Sequence, residues 1–243
     1  MDIEIITSII KYLVTVIAGI LLGNGAVYLF NHMPAEWFCD YGEEPSEELK
    51  DPYTQRVKSY PWKYGFSMFF VAMGLYIIRV DILYTVAVLA VLWILLELSI
   101  SDIKYRIVPD QLILLLAVSA VGLIQFHAGW KDMLYGGCLG IIIMGMTAVI
   151  GKAFYRRESV GGGDIKLFGA LGLVLGVAGV LFVFAASALI SAAHLVILLC
   201  THKIKRKDTI PMVPYISVAA AIYLIFIWQG PAGLYLESLF PHI

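Results

Sequence analysis

The sequence predicts an all-α, polytopic membrane protein with about eight transmembrane helices and no soluble domain. Of its 243 residues, 60% are hydrophobic and 14% are charged, whereas soluble domains are about half apolar and about a quarter charged. Apolar segments near the length of a membrane span recur along the chain, and the basic residues are concentrated in every second connection between them. The net charge of −1 argues against the broad positive field of a nucleic-acid-binding protein.

The apolar segments are bounded by charged residues, proline or glycine. They are residues 5–29, 64–79, 81–101, 110–127, 133–154, 165–176, 178–200 and 211–228. The first follows an acidic start and contains Lys11, so it lacks the basic start and small-residue cleavage site of a removable signal peptide. We therefore expect it to be retained as a span, and we expect residues 1–243 to form a single membrane domain.

The basic residues indicate the orientation of the spans, because short loops rich in lysine and arginine stay on the cytoplasmic side. Fourteen of the seventeen lie in four connections: Lys50, Arg56, Lys58, Lys63; Lys104, Arg106; Lys152, Arg156, Arg157, Lys166; Lys203, Lys205, Arg206, Lys207. These connections alternate with nearly uncharged ones, which predicts both termini outside the cell and a cytoplasmic loop over residues 31–63. A single span over residues 165–200 would break the alternation, so we predict two spans there.

Few carboxylates lie near the membrane, where an ionisable side chain is costly and is therefore a candidate for function. Glu97 and Asp102 lie at the cytoplasmic end of the third predicted span, Asp110 begins the fourth and Asp164 begins the sixth. Asp110 fits a helix N-cap as well as it fits a chemical role. Glu97 is interpreted either as the partner of a basic neighbour such as Arg106 or as a residue that lines the site.

Asp164 directly follows three successive glycines, residues 161–163. We expect these glycines to allow backbone conformations that are closed to other residues and to allow another chain to approach closely. Asp164 would then enter a helix near its positive end. The spacing of a phosphate-binding loop is absent and no strand precedes the glycines, so the remaining alternative is a flexible linker.

The predicted topology places Asp102 and Asp164 at one cytoplasmic face. Two neighbouring carboxyl groups resist ionising together, and such a pair can activate water and protonate a leaving amine, which is the chemistry of an aspartyl protease. The sequence contains neither His-Glu-x-x-His nor Gly-x-Ser-x-Gly, which disfavours zinc and serine hydrolases. We expect no metal and no organic cofactor. Spacing alone does not choose between Asp102 and Asp110 as the partner of Asp164.

The residues around both aspartates resemble a known family. Gly161, Gly163 and Asp164 form a Gly-x-Gly-Asp motif, and Asp102 is followed by a basic stretch and then by a Pro-Asp pair that ends at Asp110. With the eight-span frame, these motifs resemble type IV prepilin peptidases and preflagellin peptidases, which are aspartyl proteases of the Gly-x-Gly-Asp class.

A third motif extends the resemblance toward the end of the chain. Residues 210–215, Ile-Pro-Met-Val-Pro-Tyr, look like the family's Ile-Pro-Phe-x-Pro-Phe element at the start of the last span. The resemblance therefore covers about residues 95–228, which we expect to be the peptidase core.

The resemblance implies roles for individual residues. Asp102 and Asp164 would be the catalytic pair, and Gly161 and Gly163 would shape the loop of the second aspartate. Asp110 matches an aspartate that is frequent in the family, and it is a candidate for an additional site residue. Family members cleave the basic leader from prepilin-like proteins at the cytoplasmic membrane face, after a glycine and just before a hydrophobic helix. The implied partners are such substrates and the lipid bilayer of the cell membrane.

The N-terminal quarter departs from the family's better-known pattern. Many members have a large cytoplasmic loop with two Cys-x-x-Cys pairs and also methylate the new N-terminus of the cleaved substrate. Here the loop over residues 31–63 contains only Cys39. The thiolate cluster cannot form, so we expect no zinc there, and methyl transfer by this chain is doubtful.

The same loop contains a group of acidic residues, which we call the acidic cluster: Glu43, Glu44, Glu47 and Glu48. One interpretation is a solvated loop, and the other is a surface that attracts the basic leader of the substrate. Two other functions stay open at this point. They are an ion- or proton-coupled transporter, in which paired carboxylates relay protons, and a catalytically silent scaffold of a pilus or secretion apparatus.

Overall fold

The described part of the chain is helical throughout in the computed structural model. It covers residues 3–39, 42, 44–51, 54–155, 161–201 and 210–228, which contain helices and turns but no strand. The α-helices are α1 (Ile3–His32), α2 (Glu47–Lys50), α3 (Ser59–Ile77), α4 (Ile82–Tyr105), α5 (Asp110–Ser119), α6 (Trp130–Tyr155), α7 (Gly162–Cys200) and α8 (Val213–Ile222). A 3-10 helix, Ala35–Phe38, follows α1; another, Ala120–Phe126, extends α5; and a π-helix, Tyr223–Trp228, extends α8.

The predicted all-α class is therefore confirmed for the described residues, and a helix occupies the position of each predicted span. Within the described ranges, four helices are long and apolar enough to cross a membrane: Glu4–His32, Ile82–Tyr105, Trp130–Phe154 and Gly162–Cys200. The apolar helices Asp110–Phe126 and Val213–Trp228 are shorter. The count of eight membrane spans stays a prediction.

The chain divides into two compact units, residues 1–93 and 94–243. In the first unit, α1 packs against α3 by close backbone approach. A Cβ atom on Gly23 would lie 2.1 Å from the backbone nitrogen of Ser67, and one on Gly19 would lie 2.7 Å from that of Val71. Small residues at such contacts let membrane helices pack tightly.

Arg56 organises the connection between α1 and α3. Its guanidinium donates hydrogen bonds to the carbonyl oxygens of Phe30, Met33 and Leu49, and it lies 5.0 Å from the centre of the Phe38 ring. The last carbonyl groups of a helix lack partners within it, and Arg56 supplies hydrogen bonds to this end of α1. In the sequence, Arg56 served only as an indicator of orientation.

In the second unit, α6 packs antiparallel to the first part of α7 through glycines. A Cβ atom on Gly136 would lie 2.4 Å from the carbonyl oxygen of Gly172, and one on Gly140 would lie 2.2 Å from that of Phe168. Any larger residue at these positions would push the two helices apart. This contact holds the first part of α7, which begins just before Asp164, against α6.

Helix α7 reverses direction at Gly176, which has φ 69° and ψ −172°. The rings of Phe168 and Phe184 lie 6.1 Å apart, whereas sixteen residues of a straight helix would separate them by about 24 Å. We call residues 162–175 α7a and residues 177–200 α7b. The predicted division between segments 165–176 and 178–200 therefore agrees with a break in the helix.

A His–Asp pair holds this reversal. His127 Nδ1 lies 3.0 Å from Asp132 Oδ2, and His127 Nε2 lies 3.1 Å from the carbonyl oxygen of Val174 near the end of α7a. The other oxygen of Asp132 accepts the N–H of Val177 at 3.2 Å. A carboxylate at the start of α7b and an imidazole at the end of α7a both complement the helix dipoles.

Substitution of Gly176 should be strongly destabilising. Its φ and ψ values are almost exclusive to glycine, and a Cβ atom would lie 2.1 Å from Asp132 Oδ2. We expect Gly176→Ala to reduce the free energy of unfolding by roughly 2–4 kcal/mol, measured by denaturant titration in detergent micelles. The matched control is Gly145→Ala in α6, where a Cβ atom meets nothing within 4 Å. Equal stability of the two variants would contradict the reversal at Gly176.

Candidate active site

Asp102 lies near the end of α4 and is held by the start of α8. Its Oδ2 accepts the backbone N–H of Val213 at 2.9 Å, and the backbone of Met212 also hydrogen-bonds to the carboxylate. The side chain is almost fully buried. The first N–H groups of a helix have no partner within it, so they suit a buried carboxylate.

Two serines join α4 to α8 one turn away from Asp102. The hydroxyl groups of Ser99 and Ser217 lie 2.8 Å apart, and both lie within hydrogen-bond distance of the carbonyl oxygen of Leu95. The Ile-Pro-Met-Val-Pro-Tyr motif thus has a structural role that its sequence did not reveal. It begins the helix that binds Asp102.

Asp164 lies in the first turn of α7a. Its backbone N–H donates to the carbonyl oxygen of Gly161 at 3.1 Å, and its carboxylate accepts a hydrogen bond from the backbone of Gly161. The carboxylate also lies close enough to Asp102 for the two charges to repel each other. The structure therefore brings together the two aspartates that the sequence selected.

The connection between α4 and α5 passes beside both aspartates. Arg106 has φ 60°, its N–H donates to the carbonyl oxygen of Asp102, and its charge attracts the Asp102 carboxylate. The hydroxyl group of Ser101 donates to the carbonyl oxygen of Ile107 at 2.6 Å. The next residue, Val108, packs against the start of α7.

The glycines before Asp164 act differently from the expectation. All three have ordinary backbone angles, because Gly161 caps α7 at φ −69° and the other two are helical. The expectation of conformations closed to other residues was therefore wrong. Close approach occurs at Gly163, where a Cβ atom would lie 3.0 Å from the Cβ of Val108. A Cβ atom on Gly161 would make only an ordinary contact with Asp164, and one on Gly162 would meet nothing within 4 Å.

Asp110 is not the N-cap of α5. Pro109 occupies that position, and Asp110 is the first helical residue. Both oxygens of its carboxylate lie 2.8 Å from the Lys166 Nζ atom. Lys166 was counted among the loop residues that indicate orientation, but it lies in α7 two residues after Asp164. Sequence spacing contained no signal for this pair.

Glu97 is a third carboxyl group in α4, and it is fully buried. Neither of its oxygens has a hydrogen-bond partner within the described residues, so the expected pairing with Arg106 was wrong. Arg106 lies instead near Asp102, one turn or more further along the helix.

The acidic cluster lies in the first unit and is described in part. Glu44 and Glu47 are exposed, and Glu44 Oε2 lies 3.1 Å from Lys50 Nζ. Glu43 and the side chain of Glu48 lie outside the described residues.

The fold and this site together define a class: a helical membrane protein with two interacting aspartates near helix ends. Residues 89–196 match the family model described as the type IV leader peptidase family. Over this region, which includes Asp102, Asp110 and Asp164 and is somewhat less than half of the chain, the chain is similar to that family. The resemblance inferred from the motifs is confirmed.

Several curated bacterial proteins named prepilin leader peptidase/N-methyltransferase are similar to this chain. The protein from Bacillus subtilis is 27% identical over 135 residues, which are 55% of this chain and 52% of the relative. The protein from Xanthomonas campestris is 30% identical over 136 residues, 55% of this chain and 47% of the relative. The protein from Pseudomonas aeruginosa is 30% identical over 144 residues, 58% and 49% respectively. The chain thus spans about half the length of the curated relatives it matches. No solved structure matches it.

The three glycines before Asp164 should differ in their tolerance of alanine. Gly163→Ala should reduce the free energy of unfolding by about 1–3 kcal/mol, because the new methyl group overpacks against Val108. Gly162→Ala is the matched control and should be neutral, since that position faces open space. Thermal unfolding in detergent measures both. Val108→Gly combined with Gly163→Ala should recover part of the loss, and a Gly163→Ala variant as stable as Gly162→Ala would contradict the contact.

Proposed function

We propose that the chain is a membrane aspartyl endopeptidase that cleaves the basic leader from prepilin-like precursors. The observation that carries the proposal is the convergence of Asp102 and Asp164 within the region that matches the leader peptidase family. The substrate class is that of the relatives, which are named prepilin leader peptidases. Pilins, pseudopilins and related precursors all fit that description.

The chemistry requires only the two carboxyl groups and water. Their mutual repulsion favours a pair that shares one proton. The charged member then takes a proton from water as it attacks the scissile carbonyl, and the protonated member donates to the leaving nitrogen. Backbone N–H groups from Val213 and Gly161 hold the two carboxylates in place without the side-chain entropy of a long partner residue.

The basic connections support a cytoplasmic position for this site. Lys104 and Arg106 follow Asp102 closely, and Lys152 and Lys166 flank Asp164. The apolar helix of a prepilin would then lie in the bilayer of the cell membrane with its leader junction at the cytoplasmic surface, and both termini of the enzyme would lie outside. Methyl transfer forms no part of the proposal, because the sequence lacks the Cys-x-x-Cys pairs of the family's N-terminal loop.

Removal of either aspartate should abolish cleavage. We expect Asp102→Asn and Asp164→Asn each to lower the rate by at least roughly 10³-fold, because an amide cannot exchange the proton that the pair shares. The substrate is a synthetic peptide with a basic leader, a glycine and an apolar segment, and the assay is mass measurement of the product. Glu4→Gln, which removes an exposed carboxylate from the start of α1, is the control.

Size-exclusion chromatography in detergent would verify that both variants remain folded. Near-normal activity in either variant would refute the paired-aspartate mechanism. Absence of cleavage by the unmodified protein, with the peptide bound, would favour the silent scaffold. Proton movement across vesicles without cleavage would favour the transporter.

We also propose that the acidic cluster attracts the positively charged leader. Replacing Glu43, Glu44, Glu47 and Glu48 together by glutamine should slow cleavage several-fold at low salt and have little effect near 0.5 M salt, because ions screen charges that lie further apart than about 4 Å at that concentration. The measurement is kcat/KM as a function of ionic strength. If kcat/KM at low salt is the same for the quadruple glutamine variant and the unmodified protein, the cluster is only a solvated loop.

A further inference from the structure

We propose that Asp110 and Lys166 form a positioning pair that keeps Asp164 aligned with Asp102, an inference that rests on the proposed function. In this interpretation Asp110 does not react with the substrate. It acts through Lys166 on the backbone that places the second aspartate.

The geometry of the pair is specific. Lys166 Nζ lies 2.8 Å from each oxygen of the Asp110 carboxylate. Asp110 is the first residue of α5, and Lys166 lies in the opening turns of α7a. The contact therefore joins the starts of two helices that the chain separates by more than fifty residues.

Lys166 and Asp164 point away from each other around the helix. Residues two apart on a helix do not share a face, and the Lys166 ammonium group lies against the Asp110 carboxylate. The pair therefore controls the position of α7a without supplying a charge directly at the carboxylate of Asp164. This is why the geometry assigns Asp110 a positioning role.

The two aspartates differ in how they are held. Asp102 is bound by the start of α8, which comes from a distant part of the chain. The Asp164 carboxylate accepts a bond from Gly161, which belongs to the same helix start. That local bond cannot set the distance between α7a and α4. At its start, α7a is connected to the chain segment that follows Asp102 by the packing of Val108 on Gly163 and by the Asp110–Lys166 pair, and α5 also packs against α7.

The Val108–Gly163 contact and the Asp110–Lys166 pair restrict different movements of α7a. Apolar packing between Val108 and Gly163 limits how closely the elements approach, but it does not set rotation or sliding. The ion pair adds a second, attractive point of contact between the starts of α5 and α7a, which opposes sliding of one helix start past the other. Both side chains are partly exposed, and exposed ion pairs contribute little to global stability. Loss of the pair should therefore alter the rate of the reaction far more than the unfolding temperature.

The experiment is a double-mutant cycle on cleavage of the leader peptide. Asp110→Asn and Lys166→Gln should each lower kcat roughly tenfold, because small displacements of reacting groups are costly, while KM stays within about twofold and the unfolding temperature is nearly unchanged. The double variant should be no slower than the slower single variant. Asp110→Glu and Lys166→Arg preserve the charges and should retain most of kcat. The control is Lys131→Gln, which replaces an exposed lysine at the start of α6.

Hydrogen exchange of the segment 161–168, followed by mass spectrometry, is a second readout that does not depend on activity. Both single variants should exchange faster there than the Lys131→Gln control. If the unmodified protein does not cleave the peptide, the proposed function fails, and unchanged exchange in the single variants would separately refute the pairing.

Two results with an active enzyme would overturn the inference. Single variants with unchanged kcat would show that the pair has no effect on the site. Complete inactivity of Asp110→Asn beside a nearly active Lys166→Gln would show that Asp110 itself takes part in the reaction.

Discussion

The hydrogen bond from the backbone of Val213 to the carboxylate of Asp102 is the contact on which the rest of the site depends. Burial of a carboxylate in an apolar helix bundle is costly unless donors compensate it. A helix start supplies such donors without a second charge. The position of α8 is therefore set by Asp102, and the serine contacts between α4 and α8 follow from that placement.

Among the described residues, Asp164 is positioned by close helix packing at glycine residues and not by hydrogen bonds from another helix. Helix α7a approaches α6 at Gly172, where there is no room for a Cβ atom, and it approaches the connection after α4 at Gly163, where a Cβ atom would overpack against Val108. Hydrogen bonds hold Asp102, whereas close packing at glycine positions holds the helix of Asp164.

Much of the fold follows from the sequence because hydropathy and charge act locally. Segments 165–176 and 178–200 were marked from the apolar pattern and kept separate because of the alternation of charge, and the helix does break at Gly176. The predicted topology placed Asp102, Asp110 and Asp164 at one face, and the family resemblance then selected Asp102 as the partner of Asp164. Contacts between residues far apart in the sequence could not be predicted. The spacing of residues gives no sign of the contact between Asp110 and Lys166 or of the contact between Asp102 and Val213. The glycines before Asp164 misled for the same reason, since the demand on Gly163 comes from Val108, a residue far away in the sequence.

The reversal at Gly176 also bears on orientation. A straight helix over 162–200 would place Lys166 and the basic residues that follow Cys200 on opposite sides of the bilayer, against the tendency of short basic loops to share one side. Because α7a and α7b fold back on each other, both ends of α7 point the same way. The path of the chain through α7 is then consistent with the single basic face that the sequence predicts and that the proposed function requires for Asp164. The His127–Asp132 pair holds the turn at the opposite end of α7a and therefore supports this path.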